Sequence, residues 1–273
     1  MLFQNKTFFI TGASRGIGRA IALKLASEGA NIAVVAKSVT EDNRLGGTIH
    51  SVAEEVNAAG GKGLAIQCDI RDEEQIIHAV QQTTSIFGSI DGVINNASAI
   101  SLTNTTQTDM KRFALMHDIN VKGTFMVTKH CAPFLKRSAN PHIITLSPPL
   151  DMQAKWFAPH TAYTISKFNM SMLALGWSAE FKEHNIASNS LWPATTIATA
   201  AVQNLLGGDM LMKMSRKPEI VADAVHYILQ QPAATYTGQQ LLDEHVLQQA
   251  GITDLTAYAI TPGGKLYKDL FLD

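Results

Sequence analysis

The chain has 273 residues, 46% of them hydrophobic, and a formal net charge of -1. That length and apolar content suit one sizeable α/β core. The balanced charge excludes a basic field built for nucleic acid. No apolar run approaches the roughly 20 residues of a membrane helix. The two cysteines, Cys68 and Cys131, form no CxxC or metal-ligand pattern.

Residues 7–10 form a short apolar run that reads as a buried strand. Thr11-Gly12-Ala13-Ser14-Arg15-Gly16-Ile17-Gly18 follows, and residues 19–28 read as a helix. Glycines at 12, 16 and 18 let the backbone turn sharply and a ligand come close. The helix then points its free N–H groups and positive dipole end at that turn, which suits a pyrophosphate. A glycine turn between a strand and a helix near the N-terminus predicts a dinucleotide site. Strands are further predicted at 31–36, 63–68, 92–95, 142–146, 187–191 and 238–242. Helices are predicted at 48–59, 73–87, about 109–136 and about 162–184. Continuous apolar strands alternating with helices predict a single-domain Rossmann-type α/β fold. Its doubly wound parallel sheet has about seven strands, with helices on both faces. Two long connections, 37–47 and 195–215, fall at the carboxyl edge of that sheet, where such folds hold ligands.

The residues at the strand ends carry the chemistry. The end of the second strand should meet the adenosine ribose, where an acidic residue would accept the 2′-hydroxyl of NAD. Lys37 and Ser38 stand there instead, with Arg15 inside the glycine turn. Two cations suit a 2′-phosphate, so NADP is expected over NAD; Lys37 as an ordinary solvated lysine is the plainer alternative. Asp69 ends the third strand, either accepting from the adenine amino group or serving the next helix as a cap or turn residue. Asn95-Asn96-Ala97-Ser98 ends the fourth, where asparagine amides can tie neighbouring strand termini together. Tyr163 and Lys167 share one helix face. A phenol with a pKa near 10 is too weak an acid for neutral pH, and a nearby lysine cation lowers it. Such a tyrosine can serve a carbonyl oxygen as acid or base, although an i, i+4 pair of this kind is also a common exposed one.

Together these stations resemble the short-chain dehydrogenase/reductase family over nearly the whole chain. They run Thr11 to Gly18, Asp69, Asn95 to Ser98, Asn120, Ser147 and Tyr163-Thr-Ile-Ser-Lys167, in the family's order. Within the family the chain is most similar to the hydroxysteroid dehydrogenase-like group. That likeness rests on Leu45-Gly-Gly-Thr-Ile49, Asn95 to Asn104, Leu146-Ser-Pro-Pro149, Ala162 to Lys167 and Leu191-Trp-Pro193. Some members of the group carry a C-terminal sterol-carrier domain, which these 273 residues do not include.

The resemblance implies an NADP-dependent enzyme that interconverts a carbonyl and a secondary alcohol. Tyr163 would be the acid or base. Lys167 would lower its pKa and bond the nicotinamide ribose. Asn120 would hold a water of a proton relay, and Ser147 would orient the substrate oxygen. Gly12, Ser14, Arg15, Gly16, Ile17, Gly18, Lys37, Asp69, Asn95, Ala97, Pro193 and Thr195 would line the cofactor with Tyr163 and Lys167. No metal is called for. A homo-dimer or homo-tetramer built on the two long helices is implied, and a cytoplasmic location is the simplest expectation.

Three departures from the family pattern stand out. Ser147 lies further from Tyr163 than is usual, which puts Pro148 at the customary serine position. Ser147 then either reaches the substrate through the Pro148-Pro149 turn or merely ends a strand. Pro193-Ala194 replaces the usual Pro-Gly. Asp243-Glu244-His245 replaces Asp-Gly-Gly and leads into an extension, 244–273, expected to pack on the substrate side or on a partner subunit. These departures keep a second reading open, a cofactor-binding scaffold with little catalysis. Trp156, Phe157, Trp192, Leu205, Leu206, Met210, Leu211 and Met214 are candidates to face a bulky apolar substrate, although leucine and methionine at helical spacing are more often core.

Overall fold

The computed structural model describes residues 1–42 and 46–273, so Leu45 of the 45–49 motif lies outside the described residues. Among the described residues, one sheet contains β1 (Thr7–Thr11), β2 (Asn31–Ala36), β3 (Lys62–Gln67), β4 (Gly92–Asn95), β5 (His142–Leu146), β6 (Ala187–Trp192) and β7 (Gln240–Leu242). The strands are all parallel, in the order 3-2-1-4-5-6-7. The helices are α1 (Gly16–Ala26), α2 (Ile49–Ala58), α3 (Glu73–Phe87), α4 (Met110–Met116), α5 (Thr124–Leu135), α6 (Ala154–Phe157), α7 (Thr161–Glu180), α8 (Gly208–Lys213), α9 (Glu219–Gln230) and α10 (Asp243–Gln249).

Side chains that alternate along each strand feed two cores. Ile10, Ile32 and Val34 pack with Leu25 of α1, Val52 of α2 and Val225 of α9. Their neighbours Phe9, Ala33 and Val35 pack on the other face with Ile76 of α3, Val127 of α5 and Trp177 of α7. Burial on both faces is why these strands read as unbroken apolar runs. A third, smaller cluster joins Met116, Ala162, Tyr163, Phe168, Trp192 and Phe271. The chain departs from β1 to β2 on one side and pairs β1 with β4 on the other. That reversal opens a crevice at the carboxyl ends of the strands.

The helix expected over 109–136 is not uniform. Between α4 and α5 the segment His117–Gly123 is π-helical. The wider turn accommodates one extra residue and delivers the Asn120 side chain to the 98–99 turn, where its carbonyl oxygen accepts from Ala99 N at 2.8 Å. Gly123 closes the segment against Ile70, whose Cδ1 would lie 2.8 Å from any added Cβ. The helix expected to reach residue 184 stops at Glu180, and a 3-10 turn covers Lys182–His184. The 195–215 connection contains a π-helical turn, Val202–Leu206, and α8.

Candidate active site

The glycine turn is built as its sequence requires. Gly12 and Gly16 have φ of +65° and +54°, backbone that side chains with a Cβ rarely adopt. Gly18 faces a different constraint, since a Cβ there would sit 2.5 Å from Gly12 O and 2.6 Å from Asn96 Nδ2. Asn96 is the tie between strand ends. Its amide donates to Thr11 O at 2.9 Å and Gly12 O at 3.1 Å, while Thr11 Oγ1 accepts from Asn96 N and Ala97 N at 3.1 Å each. Asn95 points elsewhere, donating to Thr128 Oγ1 at 3.0 Å beneath α5.

A cleft of about 420 Å³ runs from this turn along the ends of β2, β3 and β4. Gly12, Ser14, Arg15, Gly16, Ile17, Lys37, Asp69 and Ala97 line it. Arg15 Nη2 donates to Ser38 Oγ at 2.7 Å and to Gly47 O at 3.3 Å, but its buried Nε has no partner. Burial pulls the Arg15 guanidinium below its ordinary value, and Asp42 works against that shift. Gly47 has a φ of +68°, and an added Cβ would strike Ser14 O at 2.3 Å. Its close approach brings Gly47, in the connection from β2 to α2, onto the glycine turn. Asp69 is held by Arg71, whose Nε donates to both carboxylate oxygens at 2.9 and 3.0 Å. That bond, opposed by burial, holds the Asp69 carboxyl below its usual range. The cap of α3 is instead Asp72, which accepts from Glu74 N and Gln75 N at 3.0 and 3.2 Å.

Tyr163 and Lys167 lie one turn apart in α7 and are 4% and 2% exposed. Lys167 Nζ donates to Leu146 O at 2.6 Å and lies 5.0 Å from the centroid of the Trp192 ring. Ser147 follows β5 directly, and its fully buried hydroxyl has no hydrogen-bond partner. The neighbouring Pro148 carbonyl accepts from Ser171 Oγ at 2.6 Å. Burial raises the Tyr163 phenol and lowers the Lys167 ammonium. In this dry arrangement desolvation outweighs the help that a lysine gives a phenolate in a wetter site. The Asn120 amide is taken up by chain partners: its nitrogen donates to Ser166 Oγ at 2.9 Å and Ala99 O at 3.0 Å.

Residues beyond 244 complete an enclosure that Met116, Phe168 and Trp192 begin. Lys268 bridges antiparallel to Thr195, Asp269 N donates to Ala194 O at 3.2 Å, and Trp192 Nε1 donates to Leu270 O at 3.0 Å. The Phe271 ring then lies over Tyr163 at 6.2 Å, inclined by 30°. The 193–196 turn is braced from below by Asp243, which accepts from Ala194 N at 2.8 Å and Glu244 N at 2.7 Å. Burial pushes the Asp243 carboxyl up to about 6.

The structure therefore separates the expected site residues into two groups. The glycine turn, Lys37, Asp69 and Ala97 surround the cleft. Tyr163, Lys167, Ser147, Pro193 and Thr195 lie beyond its lining, and so does the Asn95 side chain. Of the apolar candidates, Trp156, Phe157 and Trp192 join the cluster around Tyr163. Leu205 lines the cleft instead, and Met210 is 74% exposed. Thr199 and Asn204 in the cleft wall belong to the 195–215 connection expected at the ligand edge, whereas Ile119, in the π-helical segment, had no local pattern to mark it.

A Rossmann-type sheet, a glycine turn stripped of Cβ atoms and a tyrosine–lysine pair stand together at the carboxyl edge, the layout of a dinucleotide-binding fold. The bare turn and the unpartnered Arg15 Nε fit the dinucleotide's phosphates. Residues 6–207 match the family model described as short chain dehydrogenase. A Xenopus laevis hydroxysteroid dehydrogenase-like protein 2 is 54% identical over 98% of this chain, which spans 63% of that relative's length. A crystal structure of a Xanthomonas campestris protein is 51% identical, with a TM-score of 0.97 over the whole of both chains. A Mycobacterium thermoresistibile short chain dehydrogenase is 50% identical, with a TM-score of 0.94 over 100% of this chain and 96% of that one. The chain belongs to the short-chain dehydrogenase/reductase family. Among the described residues, no helix is long and apolar enough to cross a membrane.

Proposed function

We propose that this protein interconverts a carbonyl and a secondary alcohol on an apolar substrate, using NADP. The observation that carries the reading is Tyr163 one turn from Lys167 in α7, with the unpartnered Ser147 hydroxyl just after β5, at the same carboxyl edge of the sheet as the cleft at the glycine turn. The glycine turn would hold the phosphates, with Arg15 and Lys37 at the adenosine end. When bound, the nicotinamide supplies or accepts hydride at the substrate carbon. Tyr163 gives the proton to the carbonyl oxygen in reduction and takes it back in oxidation. Lys167, one helical turn away, would as a cation favour the phenolate, and Ser147 would donate to the same substrate oxygen. NADP is favoured over NAD because the end of β2 presents Lys37 and Ser38 where an acidic side chain would meet an unphosphorylated ribose. The apolar rings of Trp156, Phe157 and Trp192 support a bulky apolar substrate. Exposed Phe125 on α5 with Met172 and Leu175 on α7 supports self-association. A cytoplasmic location remains the reading in keeping with free, buried Cys68 and Cys131.

The test is Tyr163→Phe, assayed by NADPH oxidation over a panel of cyclic, aryl and 3-oxo carbonyl compounds. Turnover falls by about two to four orders of magnitude, while the thermal shift produced by NADPH is kept. Undiminished turnover in the variant would sink the assignment. A second reading, a cofactor-binding scaffold, is favoured by one observation: the phenol is enclosed and shifted away from ionisation. Strong NADPH binding with no turnover on any compound of the panel decides for it.

A further inference from the structure

The cleft and the tyrosine–lysine pair are parts of one site, yet the structure keeps them apart. The cleft lining includes the glycine turn and the ends of β2 to β4 but stops short of Tyr163, Lys167 and Thr195. An acid that must touch a diffusing substrate is enclosed at 4% exposure. Among the residues that enclose it, Leu270, Phe271 and Leu272 come from the chain's last stretch. Tyr267 N donates to Met214 O at 2.9 Å, and Thr196 N donates to Tyr267 O at 3.0 Å. With the single Lys268–Thr195 bridge, these bonds lay an extended segment across the turn that family members place beside the nicotinamide. Phe271 fills the space above Tyr163, its ring also meeting Phe168 at 5.3 Å, His160 at 5.9 Å, Trp192 at 6.0 Å and Trp156 at 6.3 Å.

Two features mark this docking as one held by tertiary surroundings rather than by local chain preference. Phe271 is held at a φ of +71°, left-handed backbone that a bulky side chain adopts only when its surroundings impose it. Asp269 is buried within the field of Lys167 and raises the Tyr163 phenol further. The docked segment thus brings an acid to the one cation on which Tyr163 depends.

We propose that residues 267–272 are an intramolecular occupant of the nicotinamide–substrate end of the site, and that a whole dinucleotide binds only by displacing them. The adenosine half enters the open cleft freely, while the nicotinamide half competes with Phe271 and its segment. This inference rests on the cofactor reading above, and the experiment separates the two. Adenosine 2′,5′-bisphosphate carries the first half alone; NADPH carries both. In Phe271→Ala, NADPH binds roughly tenfold tighter, because the fraction of chain competent to receive it rises. The dissociation constant of the bisphosphate stays the same. In the unaltered protein, hydrogen exchange at the Tyr267 and Asp269 amides is slow without ligand and unchanged by the bisphosphate. Saturating NADPH speeds it by about an order of magnitude. Unmoved NADPH affinity in the variant, or amides slowed or unchanged by NADPH, overturns the proposal while bisphosphate binding leaves the cofactor reading standing. Failure of both ligands to bind overturns the cofactor reading and the proposal with it.

Discussion

Arg15 reaches from the glycine turn across to Ser38 and Gly47 and still keeps a buried Nε without a partner. A buried guanidinium nitrogen left unbonded is costly, and a 2′-phosphate on the ribose would satisfy it. If NADP is the cofactor, Arg15→Ala loses a charge-assisted hydrogen bond of about 1.5–3 kcal/mol. Fluorescence titration then shows NADPH binding weakened at least tenfold and NADH binding little changed. Lys37 is exposed, so Lys37→Ala costs less, about 1 kcal/mol or under. Equal losses for both nucleotides in both variants refute the 2′-phosphate argument. Ser147 shows how far one residue could be read from sequence. The adjacent Pro148 put its role in question, and the structure finds its hydroxyl buried and unbonded. That outcome depends on how β5 ends beneath Leu191, whose carbonyl accepts Ser147 N at 3.1 Å. No local pattern encodes it.

At the scale of elements, β5 ends in the Leu146 carbonyl that anchors Lys167 and leads directly into Ser147, so its seating matters to the site. His142 begins the strand, buried, with Nε2 3.1 Å from Gln231 O and Nδ1 without a partner. Burial pulls its pKa down to about 4. The unfolded chain binds a proton there below about 6.5, whereas the folded chain stays neutral. Stability is therefore lost as pH falls from about 6.5 towards 4, by up to about 3 kcal/mol at 1.36 kcal/mol per unit. His142→Gln is less stable at pH 7.5, and urea melts show the gap to the native protein narrowing as pH drops. A constant gap refutes the neutral buried histidine. The strands were legible because apolar runs bounded by glycine and polar residues leave few alternatives. The start of α2 was legible to one residue, since the helix expected from 48 begins at Ile49 with Thr48 as its cap: Thr48 accepts from Ser51 N at 3.0 Å, and Ser51 Oγ accepts Thr48 N in return. The π-helical His117–Gly123 was not, since an i→i+5 turn uses the same residues as an α-helix. It exists because Asn120 and Gly123 meet the 98–99 turn and Ile70.

At the scale of the whole molecule, α5 and α7 present Phe125, Met172 and Leu175 at 46–47% exposure. An apolar face of this kind is readily covered by a second copy. Sedimentation of the native protein as a dimer or tetramer, and of Phe125→Glu as a monomer, is the expected pair of results. A native monomer removes the oligomer from the account. The family and the doubly wound architecture were readable at this scale because their motifs recur at known strand ends. What the extension does was not. Phe271 reaches Tyr163 across more than a hundred residues of chain, and neither Asp269 nor Phe271 belongs to a pattern that local physics could flag.

The position of Asp273 has a practical corollary. Its carboxylate side chain meets Lys155 beside α6, and its carbonyl accepts from Lys268. On the displacement proposal above, a segment attached after Asp273 would bear on the docked 267–272 stretch and weaken its hold. NADPH titrations of the 273 residues with a tag after Asp273 and with the same tag ahead of Met1 then differ in the direction that Phe271→Ala predicts, and equal affinities refute the coupling.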